Sequence, residues 1–366
     1  MKDCVVVGGG LIGMLVARAL TDEGAQVTVL ERGATGRESS WAGGGILSPL
    51  YPWRYADAVT RLAGWGQARY ALLTQELRAR TGIDPEWTQS GLLISDMAAE
   101  TSDVLAWGRR FDVEARITDL AEAKQIEPAL GEVDTPLLWL PSVAQVRNPR
   151  LMKALRADLD ARGVHVREQA AVTGLMVESG RVNGVRLNGE TVACGTVVIA
   201  SGAWSAELLE PLGLHLPVVP VRGQMLLFRG APGLVRRIVL SRDRYVIPRR
   251  DGRVLVGSTL EHVGFNKGTT GEARQELEAE SRRIVPALAN CEVERHWAGL
   301  RPGSPDGIPI IGEHPGIEGL YVNAGHFRNG VVLGPASARL LVDLITGAQP
   351  LVDPAPYQPR VMAEAV

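Results

Sequence analysis

A glycine-rich motif near the start of the chain is the first feature that could do chemistry. It runs Gly8-Gly9-Gly10-Leu11-Ile12-Gly13, directly after the β-branched run Cys4–Val7. In this G-x-G-x-x-G spacing, Gly8 permits a tight turn, Gly10 lets the backbone approach a pyrophosphate, and Gly13 allows close packing of a helix on a strand. The free N–H groups at the start of the following helix attract phosphate. The motif therefore predicts a phosphate-binding turn.

The residues that follow supply the rest of a nucleotide-binding unit. We predict a helix from Met14 to Glu23 and a strand over Gln26–Leu30, which ends in Glu31, 18 residues after Gly13. A carboxylate at this point can accept hydrogen bonds from ribose hydroxyls. The glycine triplet alone is weak evidence in a chain with 42 glycines. With its strand, helix and acidic end in register it predicts a dinucleotide site, which leaves NAD and FAD both open.

Other chemistries have less support. The six histidines are scattered without HxH or HExxH spacing, so neither a metal site nor a Ser-His-Asp triad is predicted. Cys4, Cys194 and Cys291 form no CxxC pair, which argues against a zinc site and against a disulfide framework. We therefore expect a metal-free protein.

Composition narrows the class of protein further. A length of 366 residues fits two domains, or one large domain with an inserted lobe, and 45% hydrophobic residues can build a large core. The net charge of −2 argues against nucleic acid as the main partner. No apolar run approaches a membrane span, and a first strand that begins at Cys4 leaves no room for a signal peptide. We expect a cytoplasmic protein that binds neither nucleic acid nor membrane.

Two later predicted strands also end in glycine-containing segments. Thr196–Ala200 leads into Gly202, and Leu320–Ala324 leads into Gly325 and a predicted helix from Val331 to about Ile345. Between these two strand-and-glycine segments, alternating apolar and polar residues predict an antiparallel sheet, with strands over 218–228, 236–248 and 253–258. An NAD-binding domain does not need glycine-containing segments so far along the chain. A flavin ring does, because it lies far from its adenosine and must be enclosed by other segments. The layout favours FAD.

These motifs together resemble a known family. The chain resembles the FAD-dependent amino-acid and amine oxidases, which include D-amino-acid oxidase and sarcosine oxidase, and within them the glycine oxidases of the ThiO type. The resemblance rests on the first glycine motif with Glu31-Arg32 and on four further segments: Ser39–Leu47, Thr196–Trp204, Trp297–Gly303 and Gly325–Gly330.

The resemblance implies a fold and a division of the chain. We expect an α/β protein with a Rossmann-like FAD-binding domain and a second α+β domain built on an antiparallel sheet, as in D-amino-acid oxidase. The FAD-binding domain would comprise residues 1–80, 145–217 and 300–366. The substrate domain would comprise residues 81–144 and 218–299.

The resemblance also implies cofactor contacts. Pyrophosphate and ribose contacts fall on the first motif (Gly8, Gly10, Leu11, Ile12, Gly13) and on Glu31 and Arg32, and Ser39 and Ser40 would bond phosphate or ribitol groups unless they merely cap a helix. The flavin wall would comprise Gly44, Gly45 and Ile46, with Val172 at the adenine and Gly202 closing a strand return. The segment His326, Phe327, Arg328, Asn329, Gly330, Val331 and Val332 would surround the pyrimidine side of the flavin, where a helix start stabilises negative charge.

The substrate residues implied by the resemblance are Arg301, Tyr245 and Arg328. A guanidinium fork suits a carboxylate bidentately, so Arg301 in Gly-Leu-Arg-Pro-Gly would bind the carboxylate of an amino acid. Tyr245 would contact the same carboxylate, and Arg328 would lie over the substrate. Most arginines solvate a surface and most strand tyrosines belong to a core, so it is the motif context that singles these residues out.

The implied activity is oxidation of glycine, or of sarcosine or a small D-amino acid, by hydride transfer from Cα to flavin N5. The products would be an oxo acid, ammonia and H₂O₂, with O₂ as electron acceptor and a role in making the thiazole of thiamine. The alternatives are a D-amino-acid dehydrogenase that reduces a quinone and a non-catalytic dinucleotide-binding protein. Some sarcosine-oxidase relatives attach FAD through a cysteine after the Gly-Leu-Arg segment, but no cysteine follows Cys291. FAD is therefore expected to be non-covalent, in a homo-oligomer that the resemblance makes a homotetramer.

Overall fold

The computed structural model describes residues 3–360, so residues 1–2 and 361–366 of the expected FAD-binding domain lie outside it. The strands are β1 (Cys4–Val7), β2 (Val27–Leu30), β3 (Leu92–Ile94), β4 (Arg116–Thr118), β5 (Leu137–Leu140), β6 (His165–Arg167), β7 (Val172–Glu178), β8 (Arg181–Leu187), β9 (Thr191–Ala193), β10 (Thr196–Ile199), β11 (Val219–Arg229), β12 (Ile238–Ser241), β13 (Arg244–Pro248), β14 (Arg253–Gly257), β15 (Glu292–Gly303), β16 (Ile310–Glu313) and β17 (Leu320–Ala324). The helices are α1 (Leu11–Asp22), α2 (Ser39–Ala42), α3 (Asp57–Thr81), α4 (Thr101–Arg110), α5 (Leu120–Ile126), α6 (Asn148–Ala161), α7 (Ser205–Leu209), α8 (Gly271–Ile284) and α9 (Gly330–Thr346).

A six-stranded sheet carries the glycine motif. Its order is β16-β17-β10-β1-β2-β6, and all pairs are parallel except β16 with β17. Its strands are runs of valine, isoleucine and leucine because both faces are covered. Helices α1, α3, α6 and α9 share the apolar core on one face, and the small β7-β8-β9 sheet and α7 share the core on the other. The carboxyl ends of β1, β10 and β17 therefore open at one edge.

An eight-stranded sheet forms the second layer, in the order β15-β11-β14-β13-β12-β3-β5-β4. It is antiparallel except where β12 meets β3. Side chains alternate between two cores: Tyr245 and Ile247 of β13 belong to one, whereas Val246 belongs to the core shared with α8. One face is thus covered by helices, and the other turns toward the glycine-rich segments.

This architecture confirms the predicted α/β class with a second part built on a mainly antiparallel sheet. Helix α1 begins at Leu11, not at Met14, because Gly13 lies inside its first turn and packs against the turn at Gly8. The segment 236–248 is two strands, because Arg242 and Asp243 adopt positive φ and turn the chain. The expected domain boundary at residue 300 falls inside β15, so one continuous strand would belong to both domains. Within residues 3–360, no helix is long and apolar enough to span a bilayer.

Candidate cofactor and substrate site

A long cleft lies between the two large sheets. It contains about 1770 Å³ of space free of protein atoms, including open solvent at its mouth. Most residues predicted to bind cofactor or substrate line it: Gly8, Gly10, Leu11, Ile12, Glu31, Arg32, Ser39, Ser40, Gly44, Gly45, Ile46, Val172, Gly202, Tyr245, Arg301, His326, Phe327, Arg328, Gly330 and Val331. Gly13, Asn329 and Val332 do not line it. The cleft thus brings together segments from the whole length of the chain.

The first glycine motif forms one end of the cleft. Gly8 has φ +113°, and a Cβ there would lie 2.5 Å from the Ala200 carbonyl oxygen. A Cβ on Gly13 would lie 1.9 Å from the Gly8 carbonyl oxygen, so this residue serves the packing of helix on turn. The first turn of α1 contains no acidic side chain. Its N–H groups and positive dipole end therefore favour an anion.

Glu31 and Ser40 hold this end in shape. The Glu31 carboxylate accepts hydrogen bonds from the N–H groups of Gly9 and Gly33, both at 2.8 Å. A carboxylate can accept further bonds, so Glu31 retains capacity for a hydroxyl donor in the cleft. Ser40 Oγ accepts from the Leu11 N–H at 2.9 Å. Ser39 and Ser40 lie within α2, whose N-cap is Glu38, so neither serine caps α2. Ser40 instead satisfies the N–H of Leu11, the first residue of α1.

The segment of Gly44, Gly45 and Ile46 forms the middle wall of the cleft. A Cβ on Gly44 would lie 2.8 Å from Ile247 Cδ1 and 3.2 Å from Tyr245 Cε2. Gly45 has φ +79°, and a Cβ there would lie 2.1 Å from the Val146 carbonyl oxygen. Any side chain at these positions would push the wall away from the sheet. The two glycines therefore give a flat backbone surface.

Arg301 extends from β15 at the end of the cleft away from the first glycine motif. Its Nη2 donates to Ser258 Oγ at 2.6 Å and its Nη1 to the Thr259 carbonyl oxygen at 3.2 Å. The guanidinium lies over Gly223, where a Cβ would be 2.2 Å from it. Burial, together with nearby Arg328, lowers the pKa of Arg301. Within the described chain, Arg301 forms no ion pair with a carboxylate, so this end of the cleft has an uncompensated cation that suits an anionic ligand.

Tyr245 and Arg328 border the same end. Tyr245 is 6% exposed, and its hydroxyl donates to Met225 Sδ at 3.2 Å, a weak acceptor. Arg328 has a side chain 16% exposed and lies 3.6 Å from Asp243 (Nη1 to Oδ1). Arg301, Tyr245 and Arg328 thus surround one space with two cations and one hydroxyl donor. Such a set can bind and orient a small carboxylate.

The start of α9 closes the opposite wall. His326 Nε2 lies 2.6 Å from Ser337 Oγ, which donates to Asn323 Oδ1 at 3.1 Å. Since that hydroxyl proton is used, Nε2 carries the imidazole proton. Burial lowers the pKa of His326 to about 3, so the ring is neutral at ordinary pH. His326 therefore shapes the wall and does not supply a positive charge.

Two residues of this segment lie beside the cleft lining and not in it. Val332 is buried in the core, and its carbonyl oxygen faces Gly66 of α3, where a Cβ would be 1.9 Å away. Asn329 is the N-cap residue of α9, and both polar atoms of its side chain are buried without a partner among residues 3–360. Helix α9 thus turns Val332 inward, toward α3.

A family model described as FAD dependent oxidoreductase matches residues 3–344. The chain belongs to this family. The glycine oxidase of Pseudomonas putida is 51% identical over 360 residues, which cover 98% of each chain. The bifunctional protein ThiO/ThiG of Nostoc sp. is 33% identical over 349 residues, which cover 94% of this chain and 52% of that protein. The crystal structure of glycine oxidase from Geobacillus kaustophilus has a TM-score of 0.94 at 30% identity, and each chain is 99% covered.

These matches confirm the family resemblance and the D-amino-acid-oxidase-like fold that the sequence predicts. The protein is thus an enzyme, an oxidoreductase whose cofactor is FAD. The residues of the cleft fit that cofactor. Ser201 lines the cleft, and its buried hydroxyl has no hydrogen-bond partner in the described part of the chain. Gly8 and Gly45 give backbone surfaces where a Cβ would intrude. No cluster of His, Cys, Asp or Glu that could hold a metal occurs between residues 3 and 360.

Several residues of this oxidoreductase site were not found from sequence. Met225, Ser258 and Gly223 surround Tyr245 and Arg301. Their proximity depends on the pairing of β11 with β14 and β15, which brings Met225 opposite Gly257 and Gly223 opposite Gly299. No local spacing in the sequence indicates that pairing. The Arg-Gly-Gln-Met run is a weak signal at most, because it marks a glycine inside a strand.

Proposed function

We propose that this enzyme oxidises glycine to an imine, which water converts to the oxo acid and ammonia. The observation that carries the proposal is the Arg301 guanidinium, which pairs with no carboxylate among residues 3–360 and shares one end of the cleft with Tyr245, whose ring lies against Gly44. The names of the relatives from Pseudomonas putida and Geobacillus kaustophilus support the same substrate. The overall reaction is glycine, water and O₂ to oxo acid, ammonia and H₂O₂. Sarcosine and small D-amino acids are the neighbouring candidate substrates.

The chain's own residues bind and orient the substrate. Arg301 donates two hydrogen bonds to the carboxylate, and the Tyr245 hydroxyl exchanges Met225 Sδ for a carboxylate oxygen, which is a stronger acceptor. Arg328 covers the substrate from the α9 side. With its carboxylate held there, a small amino acid directs Cα toward the glycine wall. Bound non-covalently, FAD supplies the hydride acceptor at N5, so a protein base need not remove the Cα proton.

We also propose cofactor contacts for the predicted residues that line the cleft. Gly10 and Ile12 bind the pyrophosphate through their backbone N–H groups, and Glu31 binds ribose. Gly8 and Leu11 lie against the pyrophosphate, since their own N–H groups donate to the Leu30 carbonyl oxygen and to Ser40 Oγ. For the other predicted residues that line the cleft, we propose the FAD contacts that the family resemblance implies. Gly13 and Val332 act through packing. Asn329 contributes through its backbone, because its carbonyl oxygen accepts from the Leu333 N–H at 3.0 Å in the first turn of α9.

The proposed function is tested by an oxygen-consumption screen over glycine, sarcosine, D-alanine and L-alanine, together with anaerobic reduction of the flavin. We expect glycine to bleach the flavin without air, and air to restore its colour with release of peroxide. If a quinone restores the colour of the bleached flavin and air does not, the enzyme is a dehydrogenase and not an oxidase. No bleaching by any of these compounds would overturn amino-acid oxidation.

The setting of the activity is proposed on the same basis. We propose a cytoplasmic homotetramer that supplies the imine used to build the thiazole of thiamine. Light scattering coupled to gel filtration tests the tetramer, and a monomer would contradict it. Growth without thiamine tests the pathway: the gene should rescue a bacterial strain that lacks its own glycine oxidase and requires thiazole. Absence of rescue by an active enzyme would contradict the pathway.

A further inference from the structure

Strand β13 contacts the flavin wall with alternate residues. Tyr245 and Ile247 lie against Gly44, as the 3.2 and 2.8 Å distances from a Cβ at that glycine show. Arg249 follows in the same alternation, directly after the strand, and its Nη2 donates to the Gly44 carbonyl oxygen at 2.7 Å. Residues two apart on a strand face the same side. One face of β13 therefore carries both Tyr245, the proposed substrate contact, and the contacts to the wall.

Arg249 makes an unusual set of bonds for an arginine. Its Nη1 donates to Gln145 Oε1 at 2.8 Å and to the Val146 carbonyl oxygen at 3.0 Å. Among residues 3–360 its guanidinium pairs with no carboxylate. Burial lowers the pKa of Arg249 to about 10, so it stays protonated at neutral pH. A cation is thus held behind the wall by neutral acceptors alone.

The bond to Gly44 also fixes the direction of a peptide. The peptide between Gly44 and Gly45 is trans, so its C=O and N–H point in opposite directions. The C=O points to Arg249, and the Gly45 N–H on the other side donates to no residue that the structure describes. Gly44 and Gly45 both line the cleft. The unused donor therefore belongs to the wall that faces the flavin.

We infer that Arg249 is a positioning residue that presents the Gly45 N–H to an acceptor on the bound flavin and sets the wall relative to Tyr245. A donor held in place strengthens as negative charge develops on its acceptor, and it costs no reorganisation during the reaction. Without Arg249 the Gly44 carbonyl loses its partner, and the peptide between two glycines is free to turn. The inference rests on the proposed function for the part played by Tyr245.

The test compares Arg249→Met and Arg249→Lys with Arg250→Met in the FAD-loaded protein. Arg250 is the matched control, because it is exposed and bonds Asp84 Oδ2 and Thr88 Oγ1, both at 3.0 Å, away from the cleft. The readouts are the Kd for sulfite, which adds to flavins that stabilise negative charge, the Kd for FAD, and the anaerobic rate of flavin reduction by glycine. Thermal unfolding of the apoproteins reports folding separately.

We expect Arg249→Met to weaken sulfite binding about 10-fold, the equivalent of one hydrogen bond. Flavin reduction by glycine should slow by a similar factor, while the KM for glycine changes less than about 3-fold. Arg249→Lys keeps a charged donor and should recover most of the sulfite affinity, whereas Arg250→Met should match the parent. If Arg249→Met lowers only the unfolding temperature and binds sulfite as the parent does, the inference is wrong. The sulfite measurement needs no amino acid. Its outcome can therefore be distinguished from a failure of the unsubstituted protein to oxidise glycine.

Discussion

The arginines of this protein differ in what their guanidinium groups meet. Arg18 of α1 and Arg80 of α3 both contact the buried Asp158 of α6, at 3.1 and 2.9 Å, and such pairs hold helices together. Arg301 instead bonds a hydroxyl and a carbonyl oxygen and borders the cleft. A buried cation without a counterion is costly, and a ligand carboxylate would supply what is missing. The unpaired charge is therefore a stronger functional indication than the residue type.

Replacing Arg301 by alanine tests this interpretation. The loss of a bidentate charge-assisted contact should lower kcat/KM for glycine about 100-fold or more, mainly through KM, while the flavin spectrum remains. Steady-state oxygen uptake and the visible spectrum check both expectations. Arg295→Ala on the same strand is the control, since Arg295 is exposed. Equal kcat/KM in Arg301→Ala and Arg295→Ala would refute the assignment.

His326 gives a prediction about acid stability. Its pKa falls from 6.5 to about 3 in the folded protein, so below pH 6.5 the unfolded chain takes up a proton that the native protein does not. The free energy of unfolding should therefore decrease as pH falls from 6.5 toward 3, with a contribution of about 1.4 kcal/mol per pH unit, and this contribution is absent above pH 6.5. Urea unfolding across this range should show a shallower slope for His326→Gln. The same slope as in the exposed-site control His262→Gln would argue against a neutral buried ring.

At the scale of elements, α3 and α9 meet so closely that only glycine fits between them. Gly66 of α3 lies against the Val332 carbonyl oxygen, and Tyr70, one turn later, donates to the Val331 carbonyl oxygen at 2.7 Å. These two contacts fix the first turn of α9. Since Gly330 and Val331 line the cleft, the buried packing of α3 on α9 determines where the α9 end of the site lies.

Two glycines of α3 provide a matched pair of substitutions. Gly64 is exposed with no atom within 4 Å of an added Cβ, so Gly64→Ala should stabilise the protein by up to about 1 kcal/mol through helix propensity. Gly66→Ala forces the helices apart and should destabilise it by about 1–3 kcal/mol, with weaker FAD binding. Thermal unfolding and FAD titration of both variants measure these effects. If Gly66→Ala proved as stable as Gly64→Ala, the close contact with α9 would be disproved.

Sequence patterns predicted elements better than their partners. The bounds of Leu320–Ala324 agree with the structure, and those of Gln26–Leu30 and Thr196–Ala200 differ from it by one residue each, because the alternation and residue types that mark a strand are local properties. The start of α1 was missed because a glycine inside a first turn looks like loop. The surroundings of Arg301 were missed for another reason: Gly223 and Ser258 reach it through strand pairing over long separations, which no local rule encodes. Family motifs located Arg301 itself, but not what holds it.

At the scale of the whole molecule, one loop connects the two layers across the cleft. Residues 259–270 leave the large sheet after β14 and pass toward the nucleotide end, where Phe265 stacks on Trp204 with ring centroids 5.4 Å apart. Arg32 covers the Trp204 ring, 3.6 Å from its centroid, and Lys267 pairs with Glu38 at 3.0 Å. Arg32, Glu38 and Trp204 all line the cleft. The loop therefore covers the end where the adenosine part of FAD is proposed to lie.

This arrangement predicts that the loop slows the release of FAD without taking part in the reaction. Phe265→Ala removes the stacked ring and should raise the FAD dissociation rate about 3- to 10-fold, with kcat for glycine changed less than about 2-fold because Arg301 and Tyr245 are untouched. Recovery of flavin fluorescence after dilution measures the rate. Val263 lies on the same loop with similar exposure, 40% against 42% for Phe265, so Val263→Ala is the control. Equal dissociation rates for the two variants would mean that the contact with Trp204 does not retain the cofactor, whereas a fall in kcat would place the loop in the reaction itself.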